Sequence, residues 1–213
     1  MSGLEIAAPR SILGTIKAHA FPLVVLLGIM WAVEIVDLLP FAHLDRLGIQ
    51  PRSIPGLAGI VCAPFLHAGF GHLFANSFLF VLLGGILLLG GRRLFWRVTL
   101  FVTVAGGLAV WLFAGRFTNH VGASGLIFGY LGFLLARGIF ERSFPWMLAA
   151  CAILFVYGGL LFGVLPGRAG VSWQSHLFGF VAGVGAARFL FSGEKRLLRW
   201  HSARMGIGRC FPS

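Results

Sequence analysis

Residues 21–40 read FPLVVLLGIMWAVEIVDLLP, with two acidic side chains and no basic one. At about 1.5 Å of rise per residue, twenty helical positions cover about 30 Å, the thickness of a bilayer's hydrocarbon core. Arg10 and Lys17 precede the run in the manner of a secretory signal, but its length and the lack of a small-x-small cleavage site make it a retained first helix. On the same ruler, further apolar segments begin near positions 72, 95, 123, 146 and 174, and the six together account for nearly the whole chain. The expected fold is an all-α polytopic membrane protein with six transmembrane helices. The composition agrees: among 213 residues 58% are hydrophobic and 11% charged, with a mean hydropathy of +0.93, which excludes an ordinary water-soluble domain. The net charge of +11 does not point to nucleic acid, because the basic residues border apolar segments instead of forming a wet patch. Cys62, Cys151 and Cys210 are odd in number and lack metal or redox spacing, so no disulfide framework is implied.

Charge sets the topology. With both termini cytosolic, Arg10, Lys17, Arg92, Arg93, Arg97, Arg137, Arg142, Arg188, Lys195, Arg196, Arg199, Arg204 and Arg209 fall inside, and only Arg46, Arg52, Arg116 and Arg168 fall outside. Residues 41–71 are too long for a hairpin and carry Pro51, Pro55 and Pro64; they read as a loop lying partly in the outer interface. No internal repeat or low-complexity linker divides the chain. Its organisation is a cytosolic segment 1–20, a six-helix membrane domain 21–192 and a basic cytosolic tail 193–213, the tail solvated or touching lipid.

Polar residues within apolar spans cost free energy unless paired or wetted, so they are where function is legible. Gly122-Ala123-Ser124-Gly125 opens the fourth span, and a serine at a helix start lies where free N–H groups and the positive dipole end favour a developing oxyanion. Serine among glycines is also ordinary close-packing material. His176 opens the sixth span, with Gly179 and Gly183 spaced for close helix approach; Gly125, Gly129 and Gly132 give the fourth span a matching smooth face. His72 and Asn76, four apart, share a face of the second span, with His67 directed elsewhere. Measured from the inner arginines, Asn76 stands at about 24 Å, Ser124 at about 20 Å and His176 between about 18 and 28 Å. All three occupy one level in the outer half. Glu34 and Asp37 share a face near the outer end of the first span, where they meet the interface or the long loop; neither offers a third member for a triad, which leaves a Ser-His dyad. His120, four before Ser124, is a further possible base but is expected to be solvated in an outer loop.

These motifs resemble rhomboid intramembrane serine proteases: Gly122-Ala123-Ser124-Gly125, the His67/His72/Asn76 spacing, and Ser175-His176-Leu177-Phe178-Gly179 with Gly183, in the family's order over roughly residues 50 to 190. The resemblance implies a bacterial-type six-helix rhomboid-like bundle in the cell membrane. It makes Ser124 the nucleophile, His176 the general base, and His72, Asn76 and Gly122 the oxyanion-stabilising set, with the Ser124 N–H contributing and Gly122 shaping the turn. His67 takes a structural hydrogen-bonding role, and Gly125, Gly179 and Gly183 support the packing. Two positions depart from the family. Phe128 stands where many relatives place a tyrosine that stacks on the catalytic histidine, and Pro51-Arg52 stands where the first loop usually has Trp-Arg.

The activity implied is cleavage of another protein's transmembrane helix near the outer face through an acyl-enzyme, with membrane-protein substrates and the lipid bilayer as partners and no cofactor or metal. Small or helix-breaking residues at the cleavage site favour the local unwinding it requires. Three alternatives are weighed against it. A metalloprotease using His67, His72 and His176 lacks a His-Glu-x-x-His run. A transporter built on Glu34 and Asp37 lacks an internal repeat. A non-proteolytic rhomboid-like protein that binds membrane helices would ordinarily lack the serine or the histidine, and both are present.

Overall fold

The computed structural model describes residues 12–167 and 170–204; Arg10, Arg168, Arg209 and Cys210 lie outside them. Among the described residues all regular structure is helical, apart from one isolated antiparallel bridge between Ile49 and His120. In chain order the helices are α1 (Ile12–Asp37), α2 (Ile54–Cys62), α3 (Phe70–Leu88), α4 (Arg92–Phe101), α5 (Gly107–Phe113), α6 (Ser124–Glu141), α7 (Phe144–Tyr157) and α8 (Trp173–Arg204). A π-helical stretch, Val102–Gly106, joins α4 to α5 into one rod, and a 3₁₀ stretch, Gly158–Val164, extends α7. Each expected span contains a helix, starting within three residues of its predicted position for the second to sixth spans. Among the described residues, four segments are long and apolar enough to cross a membrane: Ala20–Asp37, Phe70–Leu88, Arg92–Phe113 and Ser124–Glu141.

α6 is the centre of the bundle. It packs most extensively on α8 and also contacts α3, α4 and α7. Tyr130, Phe133, Leu131 and Leu134 of α6 are fully buried among Phe80, Leu83 and Leu87 of α3 and Phe95 and Val98 of α4. The one polar tip in this cluster is satisfied: the Tyr130 hydroxyl lies 2.7 Å from Thr99 Oγ1, which donates back to the Phe95 carbonyl. A buried hydroxyl without such a partner costs about 1–3 kcal/mol.

The stretch between α1 and α3 is more ordered than a plain interfacial loop. A 3₁₀ turn at Leu44–Leu47 precedes α2, which Ser53 caps by accepting the Gly56 N–H at 3.1 Å, with Pro55 in the first turn where its missing N–H is harmless. Although the Trp-Arg dipeptide is missing, Arg52 donates from Nη1 to Leu112 O and from Nη2 to Ala114 O, both at 2.7 Å, while Trp111 Nε1 donates to Ser53 O at 2.8 Å. A tryptophan and an arginine therefore fasten this loop to the end of α5, drawn from two segments of chain. Asp37 Oδ1 accepts the Leu44 N–H, as expected of a carboxylate bonding to the loop. Glu34 is buried and bonds to the backbone at Gly69, the long-loop alternative of the expectation, beneath the entry to α3. Arg137, counted among the inner-boundary cations, is also buried: it pairs with Glu141 Oε2 at 3.0 Å and stacks 3.7 Å over the Trp146 ring.

Candidate functional site

The chain enters α6 through Gly122, whose φ of +110° L side chains rarely adopt, and whose N–H donates to the Ala63 carbonyl at 2.9 Å. A Cβ here would stand 2.7 Å from His72 Cε1, 3.0 Å from His72 Nε2 and 3.4 Å from Asn76 Nδ2. The imidazole and the amide presented by α3 therefore converge on the turn just before Ser124. Asn76 is buried, and its Nδ2 has no hydrogen-bond partner among the described residues. Ser124 is the first residue of α6, so its N–H belongs to the first-turn donors that no intrahelical carbonyl can satisfy.

His176, in the first turn of α8, is 8% exposed and is held on two sides. Its Nδ1 is 2.9 Å from the Gly163 carbonyl. A carbonyl only accepts, so Nδ1 carries the proton and the neutral ring keeps its lone pair on Nε2. Phe128, one turn past Ser124 on the same face of α6, stacks on the ring at 4.1 Å and 6°. Gly163 fits because it has no side chain: a Cβ would stand 2.9 Å from Phe128 Cζ and 3.2 Å from His176 Nδ1. The two helices meet along glycines, with Gly125 against Ser175, Gly179 against the Gly125 carbonyl and Gly183 against the Gly129 carbonyl. Ser124 and His176 thus occupy facing ends of one seam. Ser124 Oγ itself makes no hydrogen bond among the described residues.

His67 is buried and its Nε2 accepts the Ala123 N–H at 3.4 Å, a long bond that ties the loop before α3 to the residue preceding Ser124. Burial, and then the neighbouring His72, pull its pKa down to about 4, which keeps that nitrogen an acceptor at neutral pH. The expectation that His67 points away from His72 is corrected: the rings meet edge-on at 5.3 Å, because His67 precedes α3 and escapes its helical periodicity. His120 is also corrected. It is 4% exposed instead of solvated, because its backbone pairs with Ile49 and its ring is bonded at both nitrogens, to Thr118 Oγ1 at 2.8 Å and to Ser172 Oγ. Burial lowers its pKa as well.

A small open cleft lies beside Gly122 and Gly125, the neighbours of the nucleophile candidate; His120, Ser175 and Thr103 of the π-helical stretch are its polar lining, and Ile49, Ile60, Val102 and Leu126 line it with apolar side chains. Such single-turn π segments recur at functional sites because they shift backbone groups out of helical register. No three His, Cys, Asp or Glu side chains gather to hold a metal ion among the described residues. Of the site's contributors, Gly163 was invisible to the sequence reading, since a carbonyl thirteen residues before His176 leaves no pattern. Ser172 and Ser175 had a readable signal, a serine cap spaced three residues ahead of an apolar helix.

Comparison with known proteins places these residues in context. The chain matches the Rhomboid domain over residues 56–193, a stretch containing every site residue named above except Ile49. It is 41% identical over 208 residues to an uncharacterized protein of Mycobacterium tuberculosis, covering 93% of this chain and 85% of the relative. An uncharacterized protein of Mycobacterium leprae is 43% identical over 178 residues, covering 80% of this chain and 70% of the relative.

Proposed function

The chain belongs to the rhomboid family, and from that premise we propose that it is an intramembrane serine endopeptidase that cuts transmembrane segments of other membrane proteins near the outer face of a bacterial cell membrane. Asn76 Nδ2 carries the reading. A buried donor without an acceptor costs about 1–3 kcal/mol, and this one points with His72 at the turn leading into Ser124, where an oxyanion would form.

The chemistry follows from the tautomer. With Nδ1–H held by the Gly163 carbonyl, His176 Nε2 is the free base, and Phe128 keeps the ring plane fixed. Nε2 takes the Ser124 proton as Oγ attacks the peptide carbonyl, and His72, Asn76 and the Ser124 N–H receive the charge on its oxygen. His176 then protonates the leaving amine, and water hydrolyses the acyl-enzyme with the roles reversed. The carbonyl performs the orienting task of a triad carboxylate without adding negative charge.

In this reading six segments cross the bilayer with both termini cytosolic. α7 spans by combination: 14 α-helical and 7 3₁₀ residues rise about 21 and 14 Å, together enough for the hydrocarbon core. One observation favours the rival, a rhomboid-like protein that binds helices without cutting them: Ser124 Oγ has no hydrogen bond to His176. Catalytic hydrogen bonds are often loose until substrate tightens them, so this weighs less than the unpaired Asn76 donor.

The test is cleavage of a reporter transmembrane helix in liposomes by wild type, Ser124→Ala and His176→Ala, with a chelator control. Cleavage by wild type alone, indifferent to chelator, is the expected result. Undiminished cutting by Ser124→Ala overturns the serine mechanism, and a silent wild type that still crosslinks to membrane helices favours the binder.

A further inference from the structure

We propose that His120 is a positioning residue for the dyad, a hydrogen-bonded staple between the loop that delivers Ser124 and the first turn of the helix that carries His176. The inference rests on the serine-protease reading. His120 lies four residues before Ser124, and its N–H and carbonyl are engaged by Ile49 at 3.0 and 2.9 Å, so its backbone is fixed independently of α8. Its Nδ1 contacts Ser172 Oγ, and Ser172 Oγ lies 2.7 Å from Ser175 Oγ. Ser172 is the residue from which α8 starts: its Oγ accepts the Ser175 N–H at 3.3 Å and its carbonyl accepts the His176 N–H at 3.2 Å. The ring thus bonds directly to the cap on which the His176 turn is built, while the adjoining residue, Ser175, packs on Gly125.

Two directions are fixed in the network: Thr118 Oγ1–H donates to the Gly115 carbonyl at 2.6 Å, so Thr118 Oγ1 accepts from His120 Nε2–H, and Ser172 Oγ–H donates to Ser175 Oγ at 2.7 Å. His120 Nδ1 closes the link between these two arms on Ser172 Oγ. Thr118, His120, Ser172 and Ser175 make no side-chain hydrogen bond to Ser124 or His176, so the effect acts through backbone placement. Small misplacements matter in catalysis, and a shift of about 1 Å costs about 100-fold.

Two conservative variants separate positioning from mere filling of space. His120→Asn keeps a polar atom at the Nδ1 position facing Ser172 and loses the Thr118 bond; His120→Gln keeps an atom at the Nε2 position and loses Ser172. With the reporter helix in liposomes, His120→Asn is expected to retain kcat within about 3-fold, and His120→Gln to lose about 100-fold in kcat with KM unchanged. Hydrogen exchange of the amides of residues 173–176, measured in the Ser124→Ala background, is expected to rise in His120→Gln and not in His120→Asn. Equal kcat or equal exchange in the two variants, or a loss confined to KM, overturns the staple. If Ser124→Ala cleaves like wild type, the serine reading falls, and the exchange data still decide whether His120 holds the α8 turn.

Discussion

α1 and α6 are both long enough to cross a bilayer, yet 67% of the spanning part of α6 is buried inside the protein against 28% of that of α1. α6 is the less apolar of the two. In water the order would be reversed, because the most hydrophobic helix would be driven inside. Lipid is as apolar as a leucine core, so apolarity gives no reason to go inward; smoothness and hydrogen bonding do. α6 therefore brings glycines, Ser124 and Tyr130 into the centre, while Val24, Ile29, Ile35 and Val36 of α1 remain exposed. The lesson is that the helix with the weaker membrane signal carries the candidate nucleophile of the proposed reaction.

Breaking α6–α8 chemistry gives the largest contrast. Ser124→Ala and His176→Ala are each expected to lower kcat on a reporter helix by about 10⁴-fold or more, whereas Val24→Ala on α1 leaves it unchanged. The two active-site variants should unfold at the wild-type temperature in detergent; a large drop would move both residues from the chemistry to the packing. Next comes the donor on α3. Asn76→Ala is expected to cost about 100- to 1,000-fold in kcat with little change in KM, since in the proposed mechanism the amide bonds only to the oxyanion. A loss appearing in KM would place Asn76 in ground-state binding.

Glycines sharpen the same comparison without touching the reacting groups. A side chain at Gly183 would drive into the Gly129 carbonyl, while Gly28 of α1 has nothing within 4 Å of where a Cβ would stand. Gly183→Leu is expected to destabilise by about 3 kcal/mol or to prevent folding, and Gly28→Leu by less than about 0.5 kcal/mol. The measurement is the midpoint of unfolding in a detergent and denaturant series. Equal tolerance at both positions would mean that the seam is not close-packed.

The sequence made the helices and the polar level of the site legible because both follow local rules: apolar length against bilayer thickness, and four-residue spacing on one face. Ser124, His72, Asn76 and His176 stand as candidates on those grounds and on the glycine-lined helix starts of Ser124 and His176. What it hid depends on contacts between distant segments. The Gly163 carbonyl on His176, the bonds of Arg52 to the Leu112 and Ala114 carbonyls, and the bond of His120 to Ser172 join parts of the chain that no periodicity connects. His120 was read as solvated because the residue occupies a loop; the backbone bridge to Ile49 closes that loop over it. Arg52 shows the reverse case. The absence of a Trp-Arg dipeptide suggests an altered first loop, but Trp111 of α5 donates to the carbonyl of Ser53, next to Arg52, across 58 residues.

His67 offers the finest division, since it binds the backbone before Ser124 without belonging to either helix of the seam. Its Nε2 must stay unprotonated to accept the Ala123 N–H, and its pKa is about 4 in the fold against an ordinary 6.5. Between those values the unfolded chain binds a proton that the folded chain does not, so stability rises with pH across this window and is lost as pH falls through it. The thermal midpoint of wild type should therefore fall more steeply from pH 6.5 to pH 4 than that of His67→Gln, whose amide oxygen can accept the same N–H without titrating. His72, His120 and His176 titrate in both proteins, so the difference between the two slopes isolates His67. Parallel slopes would mean that His67 is wetted and free to protonate in the fold, and the tie between the first loop and the Ser124 turn would then rest on the Gly122 N–H and the Ala63 carbonyl.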